Sequence, residues 1–138
     1  MNVLGVDPGR VKTGLAVLDG SGAILSRAIV ETALLESEVR SILLAWRIER
    51  VALGDSTSSK SALAQLEMVL KGSELSVQMV DEKNSTLEAR GLYFQEFAPR
   101  GWRKLVPLSL QVPPVPVDDF AAVVVARRLL QRGKTVAS

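Results

Sequence analysis

An α/β fold, a five-stranded mixed sheet flanked by helices, is what this chain predicts, and three observations carry the prediction. Residues 2–7, 14–19 and 23–30 are short apolar runs separated by glycine-containing turns, the pattern of a three-stranded antiparallel meander. From residue 33 onward helical and strand periodicities alternate, which calls for two further parallel strands joined by right-handed crossovers. The composition, 47% hydrophobic and 23% charged over 138 residues, is that of one domain with a sizeable core, so residues 1–138 are read as a single domain.

Each element has its own signal. Val3-Leu4-Gly5-Val6 is apolar on both faces, as in a buried central strand, and it ends in Asp7-Pro8-Gly9. Asp19-Gly20-Ser21-Gly22 is a hairpin turn between the second and third strands. Leu35, Val39, Ile42, Leu43 and Trp46 recur at helical spacing, so residues 33–47 predict an amphipathic helix covering the sheet. Arg50-Val51-Ala52-Leu53-Gly54 reads as a buried strand. The polar loop Asp55 to Lys60 then leads into a helix with Leu63, Leu66, Val69 and Leu70 inward and Gly72 as its stop. Leu75 to Val80 returns as a strand. Ser85 and Glu88 have capping-box spacing for a helix running to about Phe97, with Phe94 and Phe97 on its core face. Residues 98–117 hold five of the six prolines and predict a long loop, extended at Val112 to Val117. A last helix begins at Asp118-Asp119-Phe120, carries Arg127, Arg128 and Arg132, and is expected to stop at Gly133; its Val123-Val124-Val125 triplet would also suit a strand.

What the chain lacks narrows its chemistry. With no cysteine there is no disulfide or thiolate site, and with no histidine there is no imidazole base, ligand or triad. An enzyme built from these residues must use carboxylates, lysines, hydroxyls or a metal. No apolar stretch approaches the ~20 residues of a membrane span, and the N-terminus has no secretory pattern, so a cytoplasmic protein without a membrane partner is expected. Charge is unevenly spread: residues 1–82 hold 8 Lys+Arg against 11 Asp+Glu, and residues 83–138 hold 9 against 4. The basic second half suits a polyanion partner, although scattered surface arginines give the same arithmetic.

In a sheet of this order the carboxyl ends of strands one, four and five lie along one edge, and the start of the last helix can pack across it. Asp7, Asp55, Asp81 or Glu82, and Asp118 or Asp119 would converge there. A carboxylate cluster of that kind can hold hard divalent cations.

Three segments carry a family resemblance: Asp7-Pro8-Gly9-Arg10-Val11-Lys12-Thr13-Gly14-Leu15-Ala16-Val17, Val80-Asp81-Glu82-Lys83-Asn84-Ser85-Thr86-Leu87-Glu88-Ala89-Arg90, and Val117-Asp118-Asp119-Phe120-Ala121-Ala122. Together, in this order, they resemble the YqgF-type, RuvC-like nucleases of the ribonuclease H superfamily. The resemblance implies a ribonuclease H-like fold and phosphodiester hydrolysis with two Mg²⁺ or Mn²⁺ ions held by Asp7, Glu82 and Asp118. It also implies maturation of precursor ribosomal RNA or, as the alternative, resolution of branched DNA at Holliday junctions. Two departures stand out. No proline follows Gly54 in the fourth-strand turn, and the family's arginine after the glutamate is Lys83, a point charge instead of a bidentate fork.

Several positions keep two readings. Asp118 and Asp119 compete as third ligand, the other being a helix cap, and Asp81 competes with Glu82 because alternation lets only one face the ions. Asp55 is an additional ligand or a loop cap. Arg10, Lys12, Lys60 and Lys83 are candidates for phosphate contact, with Lys12 beside Asp7, and the Ser/Thr/Lys loop at 55–60 could seat a phosphate at a helix start. Arg100, Trp102, Arg103 and Lys104 combine an aromatic with cations as single-stranded nucleic-acid surfaces do, or Trp102 packs beneath the proline-rich loop. A homodimer would match the twofold axis of a four-way junction. Two other classes remain: a catalytically silent nucleic-acid-binding module, and an actin-like ATPase suggested by Asp7-Pro8-Gly9, for which the chain supplies only one of the two domains needed.

Overall fold

The computed structural model describes residues 1–97 and 116–137, with side chains through residue 132. Its strands are β1 (Asn2–Asp7), β2 (Lys12–Asp19), β3 (Ile24–Glu31), β4 (Ile48–Gly54) and β5 (Val77–Val80), and its helices α1 (Leu35–Ala45), α2 (Ser59–Leu70), α3 (Ser85–Glu96) and α4 (Asp118–Ala137). The sheet order is β3-β2-β1-β4-β5. The first three strands are antiparallel neighbours, while β4 runs parallel to β1 and β5 parallel to β4. This is the predicted mixed sheet of a meander plus two parallel strands. No described helix is long and apolar enough to cross a membrane.

Alternation along β1 sorts the core into two layers. Leu4 and Val6 join Leu15, Val17, Val51 and Leu53 beneath α1 and α2, while Val3 faces the opposite way with Ala16, Leu18 and Ala52 beneath α4. Each fully buried leucine or valine contributes ~1.5–3 kcal/mol by leaving water, so both faces of the central strand are fixed in register. Val123 and Val125 are completely buried in α4, which resolves the valine triplet as helix. Tertiary packing overrides the β-branched preference there.

The α4 layer differs from its counterpart in side-chain size. Along it lie Gly5, Gly14, Ala16, Ala52 and Gly54 of the strands against Ala122 and Ala126 of the helix. A Cβ placed on Gly5 would overlap the Ala122 carbonyl oxygen and come within 2.8 Å of the Ala126 methyl; one on Gly14 would overlap the Asp118 carbonyl. Glycine is required because the helix backbone rests directly on the strand backbone.

Three local expectations are corrected. Glu88 does not close a capping box on Ser85: α3 starts after Asn84, whose left-handed φ of 63° makes the turn, and the Glu88 carboxylate pairs with Arg128 at 2.6 Å. A cationic partner 40 residues away outcompetes the local backbone N–H. Gly133 does not end α4, which continues to Ala137; glycine sustains helical backbone at a cost of about 1 kcal/mol. Phe94 is buried, but Phe97, at the end of α3, is half exposed with its ring against Tyr93. The loop at 98–115, including the proline-rich stretch, lies outside the described residues.

The glycine seat gives a paired prediction for urea denaturation. Gly5→Ala should cost ~1–3 kcal/mol by overpacking. Gly91→Ala, in α3 where a Cβ meets nothing within 4 Å, should instead add ~0.5–1 kcal/mol by removing a flexible residue from a helix. Equal effects would contradict direct backbone packing at Gly5.

Candidate functional site

The carboxyl ends of β1, β4 and β5 meet the first turn of α4, and four acidic residues gather there. Asp7 closes β1 on the same face as Val3 and Gly5, toward α4. Asp118 opens α4, its backbone seated over Gly14, the cross-strand partner of Asp7. Glu82 follows β5 and lays its carboxylate on Gly54 at the end of β4, where a Cβ would overlap Oε1. Asp55 follows Gly54, donates its N–H to the Val80 carbonyl at 3.0 Å and accepts the Glu82 N–H at 3.1 Å. Asp55 thus buttresses the backbone that presents Glu82.

The neighbouring acids point elsewhere. Asp81 is exposed and accepts the Lys83 N–H at 2.9 Å, forming the turn after β5. Asp119 is buried, accepts Arg27 Nη1 at 2.7 Å and accepts the Phe120 N–H at 3.0 Å. The structure therefore brings Asp7, Glu82 and Asp118 together, with Asp55 alongside, and turns Asp81 and Asp119 away.

The loop joining β1 to β2 is pinned from below. Ser56 Oγ donates to the Pro8 carbonyl at 3.1 Å, and Thr32 donates its Oγ1 to Gly9 at 2.8 Å and its N–H to Val11 at 2.8 Å. Arg10 and Lys12 stand exposed on this loop beside Asp7; Lys60, at the start of α2, and Lys83, after Glu82, are exposed as well. Arg100, Trp102, Arg103 and Lys104 lie outside the described residues.

Proximity of like charges distorts the acid equilibria. The Glu82 carboxyl is pushed up from 4.5 to about 9, first by burial, then by its interaction with the Asp7 carboxyl and by the negative charges of Asp7 and Asp55, against a smaller opposing pull from Arg128. Asp7 is raised by burial, with the Glu82 carboxyl pulling the other way and the Asp118 charge adding to the rise. Asp118 is raised by burial and by the Asp119 charge. Glu82 Oε1 is buried and meets no hydrogen-bond donor. A carboxylate oxygen buried without a donor is costly, and carboxylate oxygens are the ligands that hard cations take. Among the described residues no group of three acidic side chains is arranged to hold a metal ion as it stands.

Two arginines at this end carry more than sequence spacing indicates. Arg128 donates Nη1 to the Asp81 carbonyl at 2.7 Å and Nη2 to Glu88 at 2.6 Å, clamping both sides of Glu82. Arg27 pairs with Asp119 while its guanidinium lies 4.2 Å from the Phe120 ring centroid. Neither carried a local motif. The one available hint was three glycines within otherwise apolar strands, which mark close backbone approach.

Against solved structures, the chain is similar to Thermus thermophilus RuvC in complex with Holliday junction substrate, with 19% identity, a TM-score of 0.69, and coverage of 98% of this chain and 96% of that one. It is also similar to the fowlpox virus Holliday junction resolvase, with 16% identity, a TM-score of 0.61, and coverage of 96% and 99%. The fold is RuvC-like. A second Thermus thermophilus RuvC structure agrees, at 19% identity and a TM-score of 0.62 over 98% of this chain and 97% of that one. No protein-family model and no curated protein matches the sequence.

The acid cluster of this RuvC-like fold sets the sign of a pH dependence. Between about 4.5 and about 9 the folded protein keeps a proton on Glu82 that the unfolded chain has released, so metal-free stability is greatest at the acid end and falls as pH rises through that window. The raised Asp7 and Asp118 act in the same direction. Thermal melts of metal-free Glu82→Gln should show a flatter pH slope and a higher midpoint than wild type above neutral pH. A wild-type midpoint that climbs with pH across the window would contradict the buried-acid geometry.

Proposed function

We propose that this chain is a divalent-metal-dependent nuclease, a single domain that hydrolyses phosphodiester bonds at the edge formed by β1, β4, β5 and α4. One observation carries the reading. Glu82 Oε1 is buried over Gly54 without a donor, and the Glu82 carboxyl belongs to a like-charged cluster in which it interacts with Asp7 and Asp7 with Asp118. Asp7, Glu82 and Asp118 would hold two Mg²⁺ or Mn²⁺ ions, with Asp55 supporting Glu82 through its backbone. Such ions supply a water that is nucleophilic at neutral pH and positive charge for the leaving oxygen, which a chain without histidine cannot otherwise provide.

The chain's own residues have distinct tasks. Asp7 is held at the end of the central strand, which is paired on both sides. Glu82, raised to about 9 in the metal-free protein, would have to be ionised to serve as a ligand, so its binding of a cation would be coupled to loss of a proton. Lys12 and Arg10, exposed on the loop pinned by Ser56 and Thr32, meet the phosphate backbone beside the reacting bond, and Lys60 and Lys83 extend the basic rim.

Two substrate readings each have an observation behind them. The three motifs resemble YqgF-type nucleases, which supports structured precursor ribosomal RNA. The structural neighbour solved with a Holliday junction supports branched DNA.

A labelled panel of single-stranded RNA, structured RNA and a four-way DNA junction, incubated with Mg²⁺ or Mn²⁺, distinguishes them. Wild type should cut one of these only with metal, and Asp7→Asn, Glu82→Gln and Asp118→Asn should each lower the rate by ~10²-fold or more. Binding without cleavage under either metal would replace the nuclease reading with that of a nucleic-acid-binding module.

A further inference from the structure

Two adjacent aspartates open α4, yet only one joins the acid cluster, and the packing shows how that choice is made. Arg27 stands on β3 directly opposite Ala16 of β2, and Ala16 is opposite Gly5 of β1, so the row beneath α4 is large at its rim and small at its centre. Residues directly opposite in an antiparallel pair share a face, so Arg27 points toward α4. With no bulk in its way, its guanidinium reaches over the sheet, donates Nη1 to Asp119 Oδ2 at 2.7 Å and lies on the Phe120 ring. Phe120 is itself packed at its edge against Tyr93 of α3.

We infer that Arg27 is a positioning residue, a latch that holds Asp119 and Phe120 of the first turn of α4 so that Asp118 faces Asp7 and Glu82. The inference rests on the nuclease reading for its consequence, but the latch itself is a property of the metal-free fold. The pair lies largely out of solvent, with Arg27 27% and Asp119 12% exposed in their side chains. Breaking it leaves a buried uncompensated carboxylate next to Asp118. Adjacent helix residues point about 100° apart, so fraying of a first turn held only by its seat on Gly14 would let Asp119 compete with Asp118 for the ions. Arg27 touches neither substrate nor metal in this account and acts only through α4.

The test separates the latch from the reaction. In metal-free protein, Arg27→Met should speed amide hydrogen exchange in residues 118–122, where the Ala121 N–H closes the first helical bond on Val117, while exchange in β1 and β4 stays slow. In Mn²⁺ titrations followed by thermal shift and by cleavage, Arg27→Met should raise the half-saturating concentration by ~10–100-fold, the range for residues that orient metal ligands. Its rate at saturating Mn²⁺ should recover to within about threefold of wild type, a split that general destabilisation would not give. Arg27→Lys, which keeps the charge but loses the stacked fork, should fall between. Asp119→Asn, which keeps an acceptor for Arg27, should retain cleavage where Asp118→Asn loses it. Should Arg27→Met fold poorly, the Asp118 and Asp119 variants decide the matter alone: loss of cleavage in Asp119→Asn with retention in Asp118→Asn overturns the latch. Unchanged exchange in 118–122 together with unchanged Mn²⁺ response in Arg27→Met also overturns it. A wild type that cleaves nothing overturns the nuclease reading instead, and the exchange result still decides the latch.

Discussion

The arrangement depends on one steric constraint, the seating of α4 directly on the backbone of the central strands. A helix packed on a sheet normally stands off by the thickness of its side chains. Here glycines at 5 and 14 and alanines at 16, 52, 122 and 126 remove that spacer, so that carbonyls of the helix rest where Cβ atoms would otherwise be. The same economy of bulk continues at Gly54, whose missing side chain is the floor under the Glu82 carboxylate. Two acids thereby approach a third, Asp7, on the central strand of the sheet.

That convergence opposes stability, and the surrounding contacts show the strain being offset. Burial raises all three acids and neighbouring negative charges add to it, Asp7 and Asp55 at Glu82, Asp118 at Asp7 and Asp119 at Asp118, with Glu82 moved most. Arg128 grips the turn that presents Glu82, Asp55 holds its N–H, and Arg27 pairs with Asp119 at the helix start. Such local conflict in an otherwise consistent fold is typical of a site kept for chemistry, because a cluster optimised only for stability would replace an acid with a neutral residue.

Much of this was legible in the sequence. The element order, the meander and the parallel pair follow from apolar periodicity and glycine turns, because each element buries a face whose period the sequence must carry. That Asp7, Glu82 and Asp118 would lie at one edge of the sheet followed from their places at strand ends and a helix start, together with the motif resemblance. What distinguishes Asp119 from Asp118 in the structure is not local: Asp119 is paired with Arg27, 92 residues away along the chain. The same holds for Glu88, whose capping-box spacing was overridden by Arg128, a partner that sequence spacing alone cannot supply. Long-range ion pairs form after the fold has brought their elements together, so they leave no periodic trace.

The central claim is that Asp7, Glu82 and Asp118 form one cation-binding site. Anomalous scattering from crystals of the protein equilibrated with Mn²⁺ tests it most directly. The account predicts manganese peaks bounded by oxygens of Asp7, Glu82 and Asp118, with Asp119 still paired to Arg27. Peaks held by Asp119 or Asp81 in place of these residues, or no peak at the cluster under saturating Mn²⁺, would contradict it.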